Sequence, residues 1–165
     1  MVDMGKKGFT LIELIVVIAI ISIIVAIAVP KGTVSLSFKE RRDLMELKRD
    51  ILYARNMSIT EVKRYSLDIH PKKNYYYINK YVKDDGNDRE IVKKKTFESD
   101  LKIITVNFNG CNNSEFGQLL FNTSGAPSKA GNIQLRNTKG QKISLTVEVA
   151  TGKVNIYFDG VKQNE

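Results

Sequence analysis

Few side chains in this 165-residue chain are suited to covalent chemistry, and their types narrow what it can do. There is one His, His70, and one Cys, Cys111. One Cys cannot close an intrachain disulfide, and one His cannot build a multi-His metal site or an HExxH helix. A Ser/His/Asp triad would have to use His70, which sits beside Pro71 in a turn-forming stretch and reads more simply as a solvated turn histidine. Phosphate-binding loops of the GxxxxGK[ST] or GxGxxG type are absent, and Gly152-Lys153 has Val147 where the first glycine of such a loop would stand. The sequence therefore predicts no enzyme, no cofactor and no metal, and any ATPase working with this chain must be a separate protein.

Two other groupings carry charge in informative places. Glu13 is the only charged residue between Phe9 and Val29, a run otherwise broken only by Thr10 and Ser22. A carboxylate inside such a run is costly in lipid and needs a partner. Cations form the second grouping, as Lys93-Lys94-Lys95, Lys72-Lys73 and Lys153. Residues 1–29 carry Asp3, Lys6, Lys7 and Glu13, which cancel, so the net charge of +8 lies wholly in residues 30–165. Lysines such as these can meet nucleic-acid phosphates, although charge runs are more often solvated faces and Asp84, Asp85, Asp88 and Glu90 lie close to the triple lysine.

The elements that must position these residues follow from spacing. Phe9–Val29 is 21 residues, enough as a helix to cross roughly 30 Å of hydrocarbon. Three readings compete for it. A secretory signal would be cut near Ala26-Ile27-Ala28 but leaves Glu13 unexplained. A plain anchor explains the length and again not the acid. Cleavage after Gly8 would free a cationic amine on Phe9 for Glu13 to pair with. Pro30 and Gly32 predict a kink or short break. Beyond it, Leu44, Leu47, Ile51, Ala54, Ser58 and Val62 recur in steps of three and four, which predicts an amphipathic helix over about 34–62.

From Tyr65 the period is two. Tyr65–Ile69 and Tyr75–Val82 read as a hairpin, Asp84–Asp88 as a turn, and Leu101–Phe108, Gln118–Asn122, Asn132–Arg136, Lys142–Ala150 and Lys153–Asp159 as strands. The fold class is α+β, with a long N-terminal helix (membrane half, kink near Pro30, amphipathic half) packed on a C-terminal antiparallel sheet. The organisation is 1–8 leader, 9–29 membrane or assembly helix, 30–64 amphipathic helix half and 65–165 β-rich head, with 30–165 as one soluble domain.

Lys6-Lys7-Gly8-Phe9-Thr10-Leu11-Ile12-Glu13-Leu14 resembles the prepilin signal of type IV pilins and type II secretion pseudopilins. The resemblance implies a pilin-like fold, cleavage by a membrane prepilin peptidase between Gly8 and Phe9, N-methylation of Phe9, an assembly role for Glu13, and a helix kink at Pro30. Ser22 stands near the place of a helix-loosening Gly that many pilins carry. It further implies a single-pass protein of the cytoplasmic membrane with its body outside, on the cell surface after assembly. Expected partners are other pilin or pseudopilin subunits, an inner-membrane platform protein, a separate assembly ATPase and membrane lipid.

A second stretch, Leu120–Pro127, Ile133–Leu135, Gly140, Ile143–Leu145 and Thr151-Gly-Lys-Val154, is similar to the GspH/FimT-like minor pilins. DNA-binding members of that group share a Gly-Arg-x-Arg motif, where this chain has Gly152-Lys153-Val154-Asn155. Ile (18), Lys (19) and Asn (13) make up 50 of 165 residues, a bias of AT-rich genomes, which favours a Gram-positive or competence pilus with a ComGD-like role over an outer-membrane secretion system. The expected function is a minor pilin or pseudopilin that enters or primes a filament. The alternative is a DNA-binding minor pilin of a competence pilus, with Lys93, Lys94, Lys95 and Lys153 as the candidate DNA contacts.

Overall fold

The computed structural model describes residues 9–28, 36–83, 88–108, 110 and 112–162. It divides into two compact units, Met1–Val34 and Ser35–Glu165. Gly8, Pro30, Gly32, Asp84, Asp85 and Cys111 lie outside the described residues, as do the leader and the expected kink.

In the first unit, α1 spans Leu11–Ala28 without interruption at Ser22, whose hydroxyl donates to the Ile18 carbonyl at 2.8 Å. A serine bonded back to position i−4 keeps its polar atom satisfied within an apolar helix. The 18 residues of α1 span about 27 Å. Among the described residues, no helix is long and apolar enough to cross a membrane. The run expected to cross, 9–29, is longer than the described helix because Phe9 and Thr10 precede α1 and Val29 lies outside the described residues.

The second unit opens with α2, Phe38–Thr60. Its start is fixed by a capping box: the Ser37 hydroxyl accepts from the Glu40 N–H at 3.2 Å and the Glu40 carboxylate accepts from the Ser37 N–H at 2.8 Å. Leu44, Leu47, Ile51, Ala54 and Ser58 are all fully buried, as their spacing requires. Val62 is not part of that stripe. It has left the helix in a left-handed conformation (φ +52°) and is 68% exposed.

Among the described residues nine strands follow: β1 Tyr65–His70, β2 Tyr75–Tyr81, β3 Arg89–Thr96, β4 Lys102–Asn107, β5 Gly117–Phe121, β6 Gly131–Arg136, β7 Lys142–Val147, β8 Val154–Phe158 and β9 Val161–Lys162. The expected hairpin is present, with a short 3-10 turn at Pro71–Lys73 and Asn74 in the left-handed region (φ +54°). The strands form two antiparallel sheets rather than one, ordered β3-β2-β1-β5 and β4-β6-β7-β8-β9. The division arises because β5 returns to pair with β1 instead of continuing from β4. The chain between them is pinned by an isolated bridge from Val106 to Asn113. Gly117, at the start of β5, lies so close to Val106 that a Cβ there would come within 2.1 Å of its Cγ2. The core, rich in Leu and Ile, includes Tyr65, Tyr76, Phe121, Leu47, Ile51 and Leu119, each at most 1% exposed, and all of it lies within the second unit.

Candidate functional site

The N-terminal site is built on the first turn of α1. Thr10 caps the helix, its hydroxyl accepting from the Glu13 N–H at 3.3 Å, which places Glu13 in the first turn, where a helix favours negative charge. Phe9 is 87% exposed. Every Leu, Ile and Val from Leu11 to Ile24 is 45–77% exposed, and the helix is apolar on all sides. Left in water, that surface would forgo on the order of 10–20 kcal/mol of burial.

The second site is the expected cluster of lysines, and strand alternation divides it. The stretch around Lys93-Lys94-Lys95 was expected as a charge run next to a turn; it is part of strand β3, at the edge of the first sheet. Successive side chains point to opposite faces, so Lys93 and Lys95 turn toward α2 while Lys94 turns away. Lys93 pairs with Glu46 at 2.9 Å and Asp50 at 2.8 Å. Lys95 pairs with Glu46 at 3.0 Å and Glu98 at 3.2 Å, and lies 4.0 Å from Asp43. Lys94 sits over the rings of Tyr75 and Tyr77, 5.2 and 5.4 Å from their centroids. Lys72 is paired with Glu115. Lys153 is exposed and precedes β8 in the other sheet, so it does not join the lysines of β3. His70 ends β1, half-buried against Tyr75, Tyr77 and Phe116 rather than solvated in a turn.

Glu46 and Asp50, the partners of Lys93, belong to a row of acids along α2. Glu40 accepts from the N–H and hydroxyl of Thr138 at 2.9 and 3.0 Å. Asp43, fully buried, accepts from the N–H groups of Glu98 and Ser99 at 2.9 and 2.8 Å. Asp50 accepts from the Tyr76 hydroxyl at 2.6 Å. Burial raises the Glu40 carboxyl, but the hydrogen bonds from Thr138 and Ser37 outweigh it and hold the group below the usual carboxylate range. Glu46 behaves likewise: burial raises it, and Lys93 and Lys95 bring it below its ordinary value. Burial, then Asp50, pushes the Tyr76 phenol far above its usual range, so it remains a donor.

The turn glycines of the C-terminal third do two different things. Gly140 has φ +80° with open space around it, so it serves the turn alone. Gly125 (φ +78°) and Gly152 (φ +63°) also let backbone approach the end of α2. A Cβ on Gly125 would lie 2.5 Å from Ile59 Cδ1, and one on Gly152 would lie 2.5 Å from Arg55 Nε. The Thr151-Gly152 turn is therefore a packing surface for the helix as well as a connection between strands.

Comparison with known proteins agrees with these features. The prokaryotic N-terminal methylation motif matches residues 3–29, and the family described as type II transport protein GspH matches residues 43–152. No curated relative matches the chain. Among solved structures, the minor pseudopilin EpsH from the type 2 secretion system of Vibrio cholerae is similar with a TM-score of 0.55 at 12% identity, over 73% of this chain and 97% of EpsH. That likeness bears on the fold, which is the α+β, pilin-like arrangement of helix on antiparallel sheet. Residues 43–152 run from the buried Asp43 of α2 to the Gly152 turn that packs against the same helix, and over this span the chain belongs to the GspH family of type II transport proteins.

Proposed function

We propose that this chain is a minor pseudopilin-type subunit, cut between Gly8 and Phe9 by a prepilin peptidase, methylated on Phe9, and drawn from the cytoplasmic membrane into a filament that it enters or primes. The observation that carries the reading is α1, a helix apolar on every side with one carboxylate in its first turn. Such a helix rests in lipid with its body outside the cell membrane and transfers to a bundle of like helices at little cost, because both surroundings are apolar. Glu13 selects the filament by meeting the Phe9 amine of a neighbouring subunit. A platform protein and a separate ATPase would supply the machinery. The competence reading loses the support of Lys93 and Lys95, which are engaged with acids of α2.

N-terminal mass spectrometry of membrane-purified protein tests the proposal. The expected mature chain begins at methylated Phe9, and a start near Val29 would establish a secretory signal and remove the filament role.

A further inference from the structure

Helix α2 sorts its charges by face. Its four acids, Glu40, Asp43, Glu46 and Asp50, are all bonded to strands and turns of the body. The side turned away from the body carries none. Phe38, Arg42, Arg49, Tyr53 and Asn56 recur along that side in steps of three, four and seven, and Arg41 lies beside Arg42. All six are exposed, Phe38 by 84% at the first position of the helix. Arg41 and Arg49 have no ion-pair partner among the described residues, and Arg42 pairs with Glu98, itself exposed.

Aromatic rings and guanidinium groups without counter-charges, on one stripe of a helix, match a boundary between water and hydrocarbon that itself carries negative charge. Met45 and Leu52 lie on the same stripe, half-buried, and add apolar surface to it. A neighbouring protein surface can also take Phe, Tyr and Arg, but the position of the stripe in the chain favours lipid. Nine residues, 29–37, separate α1 from α2, and fully extended they reach at most about 35 Å. The basic end of α2 is therefore tethered within a short reach of whatever surface holds α1.

We propose that the outward stripe of α2 docks the body on the anionic headgroups of the lipid that holds α1, as the resting posture of the subunit before assembly. The inference rests on the reading of α1 as a lipid-embedded helix. Arg41, Arg42 and Arg49 each donate to headgroup phosphate, which a guanidinium meets with two parallel N–H bonds. Phe38 and Tyr53 settle at headgroup level, where an apolar ring body and a polar tip are both accommodated. Arg42 exchanges Glu98 for phosphate at little cost, because an exposed pair contributes little. The four acids that such a surface would repel are on the other side of the helix, held by the body.

The test uses the full chain reconstituted in phosphatidylcholine vesicles with or without phosphatidylglycerol. A nitrobenzoxadiazole probe, whose emission moves to the blue on leaving water, is attached at N56C on the stripe or at K139C in the exposed β6–β7 turn, each in a C111S background. Vesicle flotation reads α1 separately. The protein is expected to float with both lipids, the N56C probe to shift to the blue with phosphatidylglycerol alone, and the K139C probe to stay unshifted. Each cation near an anionic surface strengthens docking about fivefold, so R41Q/R42Q/R49Q should lower the docked-to-free ratio roughly a hundredfold and abolish the shift. K102Q/R136Q/K142Q removes the same charge from three exposed residues that stand opposite one another on adjacent strands of the second sheet, and should keep the shift. A floating protein whose N56C probe stays unshifted, shifts equally without phosphatidylglycerol, or keeps its shift in R41Q/R42Q/R49Q would overturn the docking and leave the reading of α1 standing. Equal loss in the two triple variants would reduce the attraction to net charge and overturn the stripe. A shift that follows protein density in the bilayer instead of phosphatidylglycerol content would assign the stripe to a second copy and overturn the lipid. Failure to float would overturn the reading of α1 and this proposal together.

Discussion

Replacing Asp50 with Ala removes the acceptor on which two elements of the first sheet converge. Tyr76 lies on β2, is fully buried, and donates its hydroxyl to Asp50 at 2.6 Å. Without that carboxylate the phenol is left in the core with its donor unmet, which costs about 1–3 kcal/mol, and the lost bond was to a charged acceptor, at the stronger end of such bonds. The Lys93 arm adds little, because Lys93 is 36% exposed and retains Glu46. We expect Asp50→Ala to destabilise the body of residues 35–165, which contains the whole core, by about 2–4 kcal/mol. Tyr76→Phe removes the hydroxyl instead and leaves Asp50 paired with Lys93, for about 1 kcal/mol. The double variant should then cost clearly less than the sum, with a coupling of about 1–2 kcal/mol, since no unmet phenol remains in it. Urea unfolding followed by circular dichroism reads all three, with the slope checked for a common unfolded state. Additive effects within about 0.5 kcal/mol would refute the claim that this bond, rather than side-chain volume, fastens α2 to β2.

Other outcomes follow from the same geometry. Gly152→Ala should destabilise the body more than Gly140→Ala, by up to about 1 kcal/mol, since both strain a positive φ but only the first must displace the Arg55 side chain, and paired urea titrations measure the difference. Glu40 and Glu46 are held below their ordinary carboxylate values in the fold, so their contribution is present above the unfolded value near 4.5 and is lost as pH falls through the lower folded value. Unfolding measured as a function of pH should accordingly lose part of its acid slope in Glu40→Gln and Glu46→Gln. Glu13→Ala should leave membrane association intact or improved while impairing entry into filaments, as read by membrane fractionation beside a complementation assay.

The apolar stripe of α2 and the hairpin at 65–82 were legible because burial imposes a period of 3.6 on one and 2 on the other. Strand β3 was hidden for a physical reason. Its inward positions are Lys93 and Lys95, which read as solvated because their counter-charges lie on a helix some 45 residues earlier in the chain. The helix start was written in the chain as Ser37-Phe-Lys-Glu40, a pattern the spacing of apolar residues alone does not reveal. Division into two sheets depends on where β5 returns, and nothing local to Gly117–Phe121 specifies its partner. The alignment of Lys102, Arg136 and Lys142 depends in turn on strand register, so residues far apart in sequence become neighbours only once the sheet is formed. The N-terminal signal was the most legible feature, since its basic, apolar and acidic parts are contiguous.

The acids of α2 also have a mechanical consequence. Glu40, Asp43, Glu46 and Asp50 lie along about 15 Å of one helix and together hold several pieces of the body: Glu40 the β6–β7 turn, Asp43 the β3–β4 connection, Glu46 strand β3, and Asp50 both β3 and β2. Tension applied to the chain upstream of Ser37 enters the body through this helix. Because the fastenings sit side by side along its axis, such tension strains them together in shear and does not peel them one after another. Apolar contacts alone would let a helix slide along its groove, since they are non-directional. Directional bonds to charged acceptors resist the slide, so these four carboxylates add a resistance to an axial pull that the buried Leu44, Leu47, Ile51 and Ala54 do not supply by themselves.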